Sequence, residues 1–443
     1  MARAEPSSGF PPGAGLRYGS LGFALAFVAL PLYVSLPAHY AQSYGMSLAW
    51  LGAVLLASRL LDALVDPWIG RLCDVWLIHR QQRVLPLMAA AALLLLLGFS
   101  GLFFPPVRGL SLLLAWCGAC LMLTYLGYSL LSVMHQAWGA RLGGDALQQT
   151  RVVAWREGFA LAGVICASIL PSVFGLAATA LALAVGLAIG LALLSRAPRA
   201  GKAAGLQAQP PQLDVDSNTN SNASSATLVW RTFGFRRLLA VFLLNGIAAA
   251  VPATLLLFFV RDRLQTPHAE GLYLAAYFIA AAASLPLWLR VVARVGQARA
   301  WGLAMLLAVF AFAWAAGLSS GDSSGFTLVC LASGVALGAD LTIPSAMLTR
   351  VIQRAGLSGR AEGAFFGWWN AANKLNLALA AGLGLPLLQW LGYAPGRRDD
   401  AALQALTLAY CLLPCLLKLA AAGLLYLFWI RHSALNPAFK ETS

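Results

Sequence analysis

The chain has 443 residues, of which 60% are hydrophobic and only 10% are charged, and its formal net charge is +14. Soluble domains carry about 25% charged residues, so this composition excludes a soluble globular protein and is typical of a protein with many membrane-spanning helices. A basic chain can also bind nucleic acid, but the positions of the basic residues in this chain argue against that partner.

Apolar runs of about 20 residues recur along the chain, and each is long enough to cross a hydrocarbon core of about 30 Å. They predict twelve spans, near residues 18–38, 47–70, 84–104, 109–134, 151–172, 174–195, 237–260, 270–290, 300–318, 325–350, 362–391 and 402–430. The N-terminal residues lack the pattern of a cleaved signal peptide, so we expect the first helix to remain as an anchor. The predicted fold class is therefore all-α and integral to the membrane.

One long polar stretch separates the first six spans from the last six. Its composition cannot build a core, which predicts a flexible segment. The expected organisation is a six-helix bundle over residues 1–195, a flexible cytoplasmic linker over 196–236, and a second six-helix bundle with a short cytoplasmic tail over 237–443. Two similar bundles of this kind indicate a transporter whose solute binds between them near mid-membrane.

Lysine and arginine concentrate in alternate loops. If the N-terminus is inside, the outer loops hold only Arg108, Arg261, Arg263, Arg397 and Arg398. This asymmetry follows the positive-inside rule and predicts that both termini are cytoplasmic, in a bacterial-type inner (plasma) membrane. The excess charge is thereby explained by the lipid bilayer, without a nucleic-acid partner.

The second span carries Arg59, Asp62 and Asp66 within the otherwise apolar stretch from Leu51 to Gly70. A carboxylate at mid-membrane costs about 2.5–3.5 kcal/mol, so two of them indicate a functional role. Spacings of three and four place all three side chains on one helix face. Two close carboxylates stay ionised only when a cation joins them, and otherwise one takes a proton. The pattern predicts a site for sodium or a proton, with Arg59 neutralising one charge in the empty state; an Asp–Arg ion pair that only fixes packing is the alternative.

The segment after this span predicts an interhelical latch at the cytoplasmic side. Gly70 is expected to end the helix, and Asp74 follows four residues later, before the basic residues Arg80 and Arg83. An ordinary positive-inside loop is the alternative interpretation.

The eleventh span offers a second polar face. Asn370, Asn373 and Lys374 lie at spacings of three and four, with Trp369 alongside. Asn amides hydrogen-bond polar solutes, an indole stacks on rings, and a lysine meets anions or carboxylates. We expect Lys374 to pair with Asp62 or Asp66 in the empty protein and to be released when the cation binds; polar contacts between helices are the alternative for the Asn residues.

A third membrane acid lies on the tenth span. Asp340 precedes Pro344 by four residues and either lines a cavity or caps a broken helix.

The run from Arg59 through Asp62, Asp66, Pro67 and Gly70 to Asp74 closely resembles the second-helix signature of the glycoside-pentoside-hexuronide:cation symporters, the melibiose permease family of the major facilitator superfamily. A second block, Arg360-Ala-Glu362 followed by Lys374, is similar to another part of the family pattern. The resemblance implies a sodium- or proton-coupled symporter with the major facilitator fold. It also implies that Asp62 and Asp66 form the cation site, that Lys374 is a polar partner, that Arg360 and Glu362 belong to the latch region, and that Arg156, expected at the inner end of the fifth helix, contacts the solute.

The chain departs from the family at two positions. Sugar carriers of the family have an acid on helix one and another on helix four, whereas here helix one is apolar and Tyr125 lies near the second expected acid. We therefore expect Tyr125 to be among the residues that contact the solute. The predicted function is a secondary active transporter, a symporter of a small, sugar-like organic solute working by alternating access; a carrier of an amphipathic or anionic solute, such as a lysolipid or an organic acid, is the alternative. Neither a Ser/His pairing nor a metal-ligand cluster stands out in the sequence, so we expect no enzyme activity, no cofactor beyond the coupling ion, and a monomer.

Overall fold

The computed structural model describes residues 10–198, 225–394 and 396–431. Most of the predicted linker, the first nine residues and the C-terminal tail lie outside this part of the chain. The end of the predicted linker is described, and it is helical: a short helix spans Ser225–Arg231, and the next long helix already starts at Phe233.

The first half contains six long helical segments. The first, α1, covers residues 12–44 and contains a π-helical turn at Pro31–Ser35. The others are α2 (Leu48–His79), α3 (Val84–Phe103), α4 (Leu110–Ala140), α5 (Ala146–Val173) and α6 (Gly175–Ser195).

The second half also contains six. They are α7 (Phe233–Arg263), α8 (Pro267–Val295), α9 (Gln297–Ala315), α10 (Ser323–Arg354), α11 (Glu362–Trp390) and α12 (Asp400–Ile430). Within the described residues, nine helices are long and apolar enough to cross a membrane. Each of the twelve predicted spans corresponds to one of the helical segments α1 to α12.

Several helices are longer than the apolar runs that predicted them, because backbone hydrogen bonding continues past the lipid-facing stretch. Two expectations about helix ends are wrong for this reason. Gly70 does not end α2, which continues to His79 over 32 residues, about 48 Å at 1.5 Å per residue. Arg156 does not open α5, which starts ten residues earlier at Ala146.

The chain divides into two compact units. One comprises Met1–Phe235 and Thr349–Ala371, and the other comprises Arg236–Leu348 and Ala372–Ser443. The first unit thus includes the end of α10 and the first third of α11, although these residues follow the linker in sequence. Lys374 and Asn373 belong to the second unit, whereas Trp369 and Asn370 belong to the first.

Candidate functional site

The two acids of α2 lie on its buried face. Asp62 is 3% exposed and Asp66 is fully buried. Leu64 and Trp68, on the other side of the same helix, are each 69% exposed. The helix therefore presents an apolar surface suited to lipid on one side and turns both carboxylates toward protein on the other, as their spacing predicts.

Helix α4 supplies partners for this face. The Ser129 hydroxyl donates a hydrogen bond to Asp62 Oδ1 at 2.9 Å. The Arg59 guanidinium lies over the Tyr125 ring, 5.7 Å from its centroid, in cation–π contact. Tyr125 and Ser129 are four residues apart and so share one face of α4. The site thus contains two carboxylates, a hydroxyl and an arginine within the first unit.

The polar face of α4 continues toward the C-terminal end of the helix and meets α11. The Gln136 amide donates to Ser132 Oγ at 2.9 Å and to Asn370 Oδ1 at 3.1 Å, and Asn370 donates back to Ser132 Oγ at 3.3 Å. Asn370 therefore belongs to a hydrogen-bonded network between two helices. Trp369 beside it is buried.

The other two predicted residues of α11 have different surroundings. Lys374 is 5% exposed and is therefore buried. Asn373, one residue earlier, is exposed.

A close helix crossing lies next to the acids. A Cβ atom on Gly70 would overlap the backbone of Gly363, and one on Gly363 would overlap the carbonyl of Gly70. A Cβ on Gly367 would lie 2.6 Å from the carbonyl oxygen of Asp66. Gly363 and Gly367 form a G-x-x-x-G pattern, which allows two membrane helices to approach at backbone distance. Gly70 is therefore required for the contact between α2 and α11 and not for a helix end.

A charged cluster holds three helix ends together. Asp74 accepts hydrogen bonds from the backbone N–H groups of Gly363 (2.6 Å) and Ala364 (2.8 Å), in the first turn of α11. A carboxylate at a helix N-terminus satisfies otherwise unpaired donors and the helix dipole. Arg141, at the end of α4, contacts Glu362 Oε2 at 3.1 Å and Asp74 Oδ1 at 3.9 Å. We name Asp74, Arg141 and Glu362 the inner cluster, after the side on which the basic residues predict it to lie; all three side chains are buried.

The structure separates the predicted latch residues into two groups. Gly70, Asp74 and Glu362 come together, whereas Arg80, Arg83 and Arg360 are exposed and outside the inner cluster. The Arg80 guanidinium carbon lies 5.2 Å from the ring centroid of Trp76, four residues earlier in the chain. The cation of the cluster is Arg141, which the sequence analysis did not select. The signal of Arg141 in the sequence was weak, since it is one of many arginines near helix ends that are predicted to be inside.

Arg156 lies within α5, buried, and away from either end of the helix. Its guanidinium donates to Glu157 Oε1 from two nitrogens, at 2.8 and 2.6 Å. The Glu157 carboxylate therefore balances the charge of Arg156. The family resemblance did not indicate this pair.

The second unit contains a polar cluster of its own. Asp340 Oδ1 accepts from Asn245 at 3.0 Å and from the Trp301 indole at 2.8 Å. Lys418 donates to Asp340 Oδ2 and to Asn245 Oδ1, both at 2.9 Å. Asp340 and Lys418 line a cavity of about 140 Å³. Of the two interpretations for Asp340, cavity lining is correct, because α10 continues unbroken past Pro344.

One end of the second unit has a smaller contact. Asp262, at the end of α7, accepts hydrogen bonds from the Tyr393 hydroxyl and from the Gly396 backbone N–H, the latter at 3.0 Å. Burial and this hydrogen bond to Asp262 raise the pKa of Tyr393 above its ordinary value. The ends of α7 and α11 are thus on the same side of the second unit, as alternating spans require.

The seven cysteines are free thiols, six of them buried and Cys166 half-buried. Among the described residues no group of three or more His, Cys, Asp or Glu side chains is placed to hold a metal ion.

Solved structures with this arrangement of helices define the class of protein. A bacterial homologue of the iron transporter ferroportin, in an outward-facing state with soaked iron, superimposes with a TM-score of 0.67 at 15% identity, over 94% of this chain and 98% of that chain. The E. coli fucose:proton symporter gives 0.60 at 14% identity, over 94% and 98% of the two chains. A proton:xylose symporter bound to 6-bromo-6-deoxy-D-glucose gives 0.60 at 15% identity, over 94% of each. At these identities the likeness shows the fold alone: this is an integral membrane protein with the major facilitator fold, which confirms the predicted fold class.

The family follows from the sequence. The pattern of the family described as MFS/sugar transport protein matches residues 16–432. The chain therefore belongs to this family, which is that of the glycoside-pentoside-hexuronide:cation symporters, and the resemblance based on α2 is confirmed. None of the curated proteins matches this sequence.

Proposed function

We propose that the protein is a sodium- or proton-coupled symporter that carries a small organic solute across the plasma membrane by alternating access. The observation that carries this proposal is the pair of carboxylates on the buried face of α2, with the Ser129 hydroxyl at 2.9 Å from Asp62. Buried acids in a membrane helix are costly, and ion binding or proton transfer is the usual reason for their presence.

In this proposal Asp62 and Asp66 provide the negative charge for the cation, and the Ser129 hydroxyl orients Asp62. Hard cations prefer several oxygen ligands, which carboxylates and a hydroxyl supply. The same pair can instead share one proton, because two adjacent carboxylates resist ionising together. Arg59 compensates part of the charge when the cation is absent.

For the solute, the best candidates are Trp369 and Asn370 on α11 together with the intramembrane Lys374. Asn370 supplies an amide in a network that a hydroxylated solute can join, and the Trp369 indole supplies a flat apolar surface. The family is described by sugar transport, which favours a sugar-like solute. Lys374 would then respond to the state of the cation site.

The inner cluster is proposed to act as the latch. It joins the ends of α2 and α4 to the start of α11 through buried charges, and an opening of the inner side must break these contacts. Buried ion pairs of this type suit a switch because removing one partner leaves an uncompensated charge.

The test is coupled uptake by purified protein in proteoliposomes, with radiolabelled melibiose as the sugar probe. A sodium gradient and a proton gradient are imposed separately. We expect one of them to drive accumulation, and Asp66→Asn to lower gradient-driven uptake at least about tenfold because the site loses half its negative charge. The control is Asp399→Asn, an exposed loop acid paired with Arg397. Gradient-driven uptake that is equal in Asp66→Asn and the parent protein would remove the acid pair from the mechanism.

A carrier of an amphipathic or anionic solute is the second candidate. Two observations favour it: α1 lacks the acid found in sugar carriers of the family, and Tyr125 contacts Arg59 at the region of the other expected acid. If gradient-driven uptake is found for a lysolipid or an organic acid and not for melibiose, this candidate replaces the sugar.

A further inference from the structure

The second unit contains the cavity lined by Asp340 and Lys418, which has no part in the proposed cation site on α2. It is about 140 Å³ in volume and is lined by residues of five helices, most of them apolar. Five rings contribute to its wall: Tyr273, Tyr277, Phe278, Phe312 and Tyr410. An apolar protein cavity of roughly 150 Å³ accommodates benzene, so this volume suits a molecule built on one aromatic ring.

Among the described residues that line this cavity, several are polar, and Asp340 supplies the one carboxylate. The Asp340 side chain is 11% exposed, whereas that of its partner Lys418 is 2% exposed. An ionised carboxylate has about four acceptor positions, and three are used here, by Asn245, Trp301 and Lys418. The fourth accepts from none of the described residues, and Asp340 itself is part of the cavity wall.

The charge of the pair restricts which donor fits. The Lys418 ammonium, 2.9 Å from Asp340 Oδ2, already neutralises the carboxylate. A cationic ligand would bring a second positive charge near Lys418, and an anionic one would face Asp340 in a poorly solvated site. A neutral hydroxyl group meets neither penalty.

We propose that this cavity is a binding site for a small neutral aromatic alcohol of the phenol type. Its ring would lie among the aromatic side chains, and its hydroxyl would donate to the Asp340 carboxylate. Aromatic pairs prefer offset or edge-to-face packing, which a wall with rings from three helices permits. The site is independent of the cation site and stands whether or not the protein proves to be a symporter.

The test is the apparent melting temperature of the full-length protein in detergent as p-cresol is titrated. We expect a saturable rise of at least about 2 °C. Toluene, which lacks the hydroxyl, should give a smaller rise, and so should benzylamine and benzoate. No saturable rise with p-cresol, or a larger one with any of the three comparison compounds, overturns the proposal.

Substitutions locate the site. Ala253→Phe and Ala249→Phe fill the cavity from α7 without changing Asp340 or Lys418, and each should abolish the p-cresol effect. Leu257→Phe is the control, because Leu257 is on the same helix, is 45% exposed and is not part of the cavity wall. If both filling variants fold and keep the effect, the proposed location is wrong.

A third measurement needs no substitution. A phenol carrying a diazirine group is photo-crosslinked to the wild-type protein, and the labelled peptides are identified by mass spectrometry. Labels on cavity residues of α7, α8, α9, α10 or α12 that p-cresol suppresses support the site. Labels confined to other segments overturn it, even if neither filling variant folds.

Discussion

At the scale of single residues, the site shows how a partner from another helix completes a sequence motif. Asp62 and Asp66 are evident from sequence because an acid in an apolar run is costly. Ser129 is not evident, since serines are common on membrane helices and only its 2.9 Å distance to Asp62 distinguishes it. The same holds for Lys418, which pairs with Asp340 from 78 residues away.

Ser129 supports the first prediction at this scale. Substituting Ser129→Ala removes a hydroxyl that orients Asp62, and hydrogen bonds to charged groups contribute about 1.5–3 kcal/mol. We expect the cation concentration that gives half-maximal uptake to rise about tenfold. The matched control is Ser168→Ala, where an exposed hydroxyl bonds only to its own helix backbone at Ile165. Equal half-saturation in Ser129→Ala and the control would show that Ser129 has no role in cation binding.

At the scale of helices, the middle of α2 has one exposed face and one buried face. One side carries Leu60, Leu64 and Trp68, all exposed, and the other carries the acids and Gly70. The expectation that Gly70 ends the helix came from its frequent place after helix C-termini. In the structure, Gly70 instead allows the backbones of α2 and α11 to lie close together. No pattern within α2 alone distinguishes these two uses of a glycine.

This contact gives a prediction for a matched pair of glycines on one helix. Gly70→Ala places a methyl group against the Gly363 carbonyl, so we expect a lower apparent melting temperature and a lower yield of folded protein. Gly52→Ala, on the same helix, meets nothing within 4 Å and should be neutral or slightly stabilising, because alanine favours helix by about 1 kcal/mol. Equal melting temperatures for the two variants would contradict the close crossing.

At the scale of the whole molecule, the alternation of spans fixes which helix ends share a side. The ends of α2 and α4 meet the start of α11 in the inner cluster, and the ends of α7 and α11 share the contact of Asp262 with Tyr393. Both contacts agree with twelve alternating crossings. The orientation of the protein in the cell is a separate prediction that rests on the basic residues.

That orientation is tested by labelling single cysteines in intact cells with a membrane-impermeant maleimide. Arg397→Cys, in a loop predicted to be outside, should be labelled, and Arg80→Cys, in one predicted to be inside, should be labelled only after the cells are opened. Both positions are exposed, so reactivity differs by side and not by burial. The parent protein with its native thiols is the control, and the opposite labelling pattern would invert the predicted topology.

The sequence alone determined the membrane class, the twelve helical segments, the family and the acid pair of α2. These features depend on local properties, namely the length of apolar runs, residue spacing along one helix and the cost of a charge in lipid. Only the tertiary structure decided that Arg141 joins Asp74 and Glu362, that Gly70 serves a helix crossing, and that Asp340 is neutralised by Lys418. Each of these depends on which helices are neighbours in space, and residues distant in sequence carry no local signal of their contact.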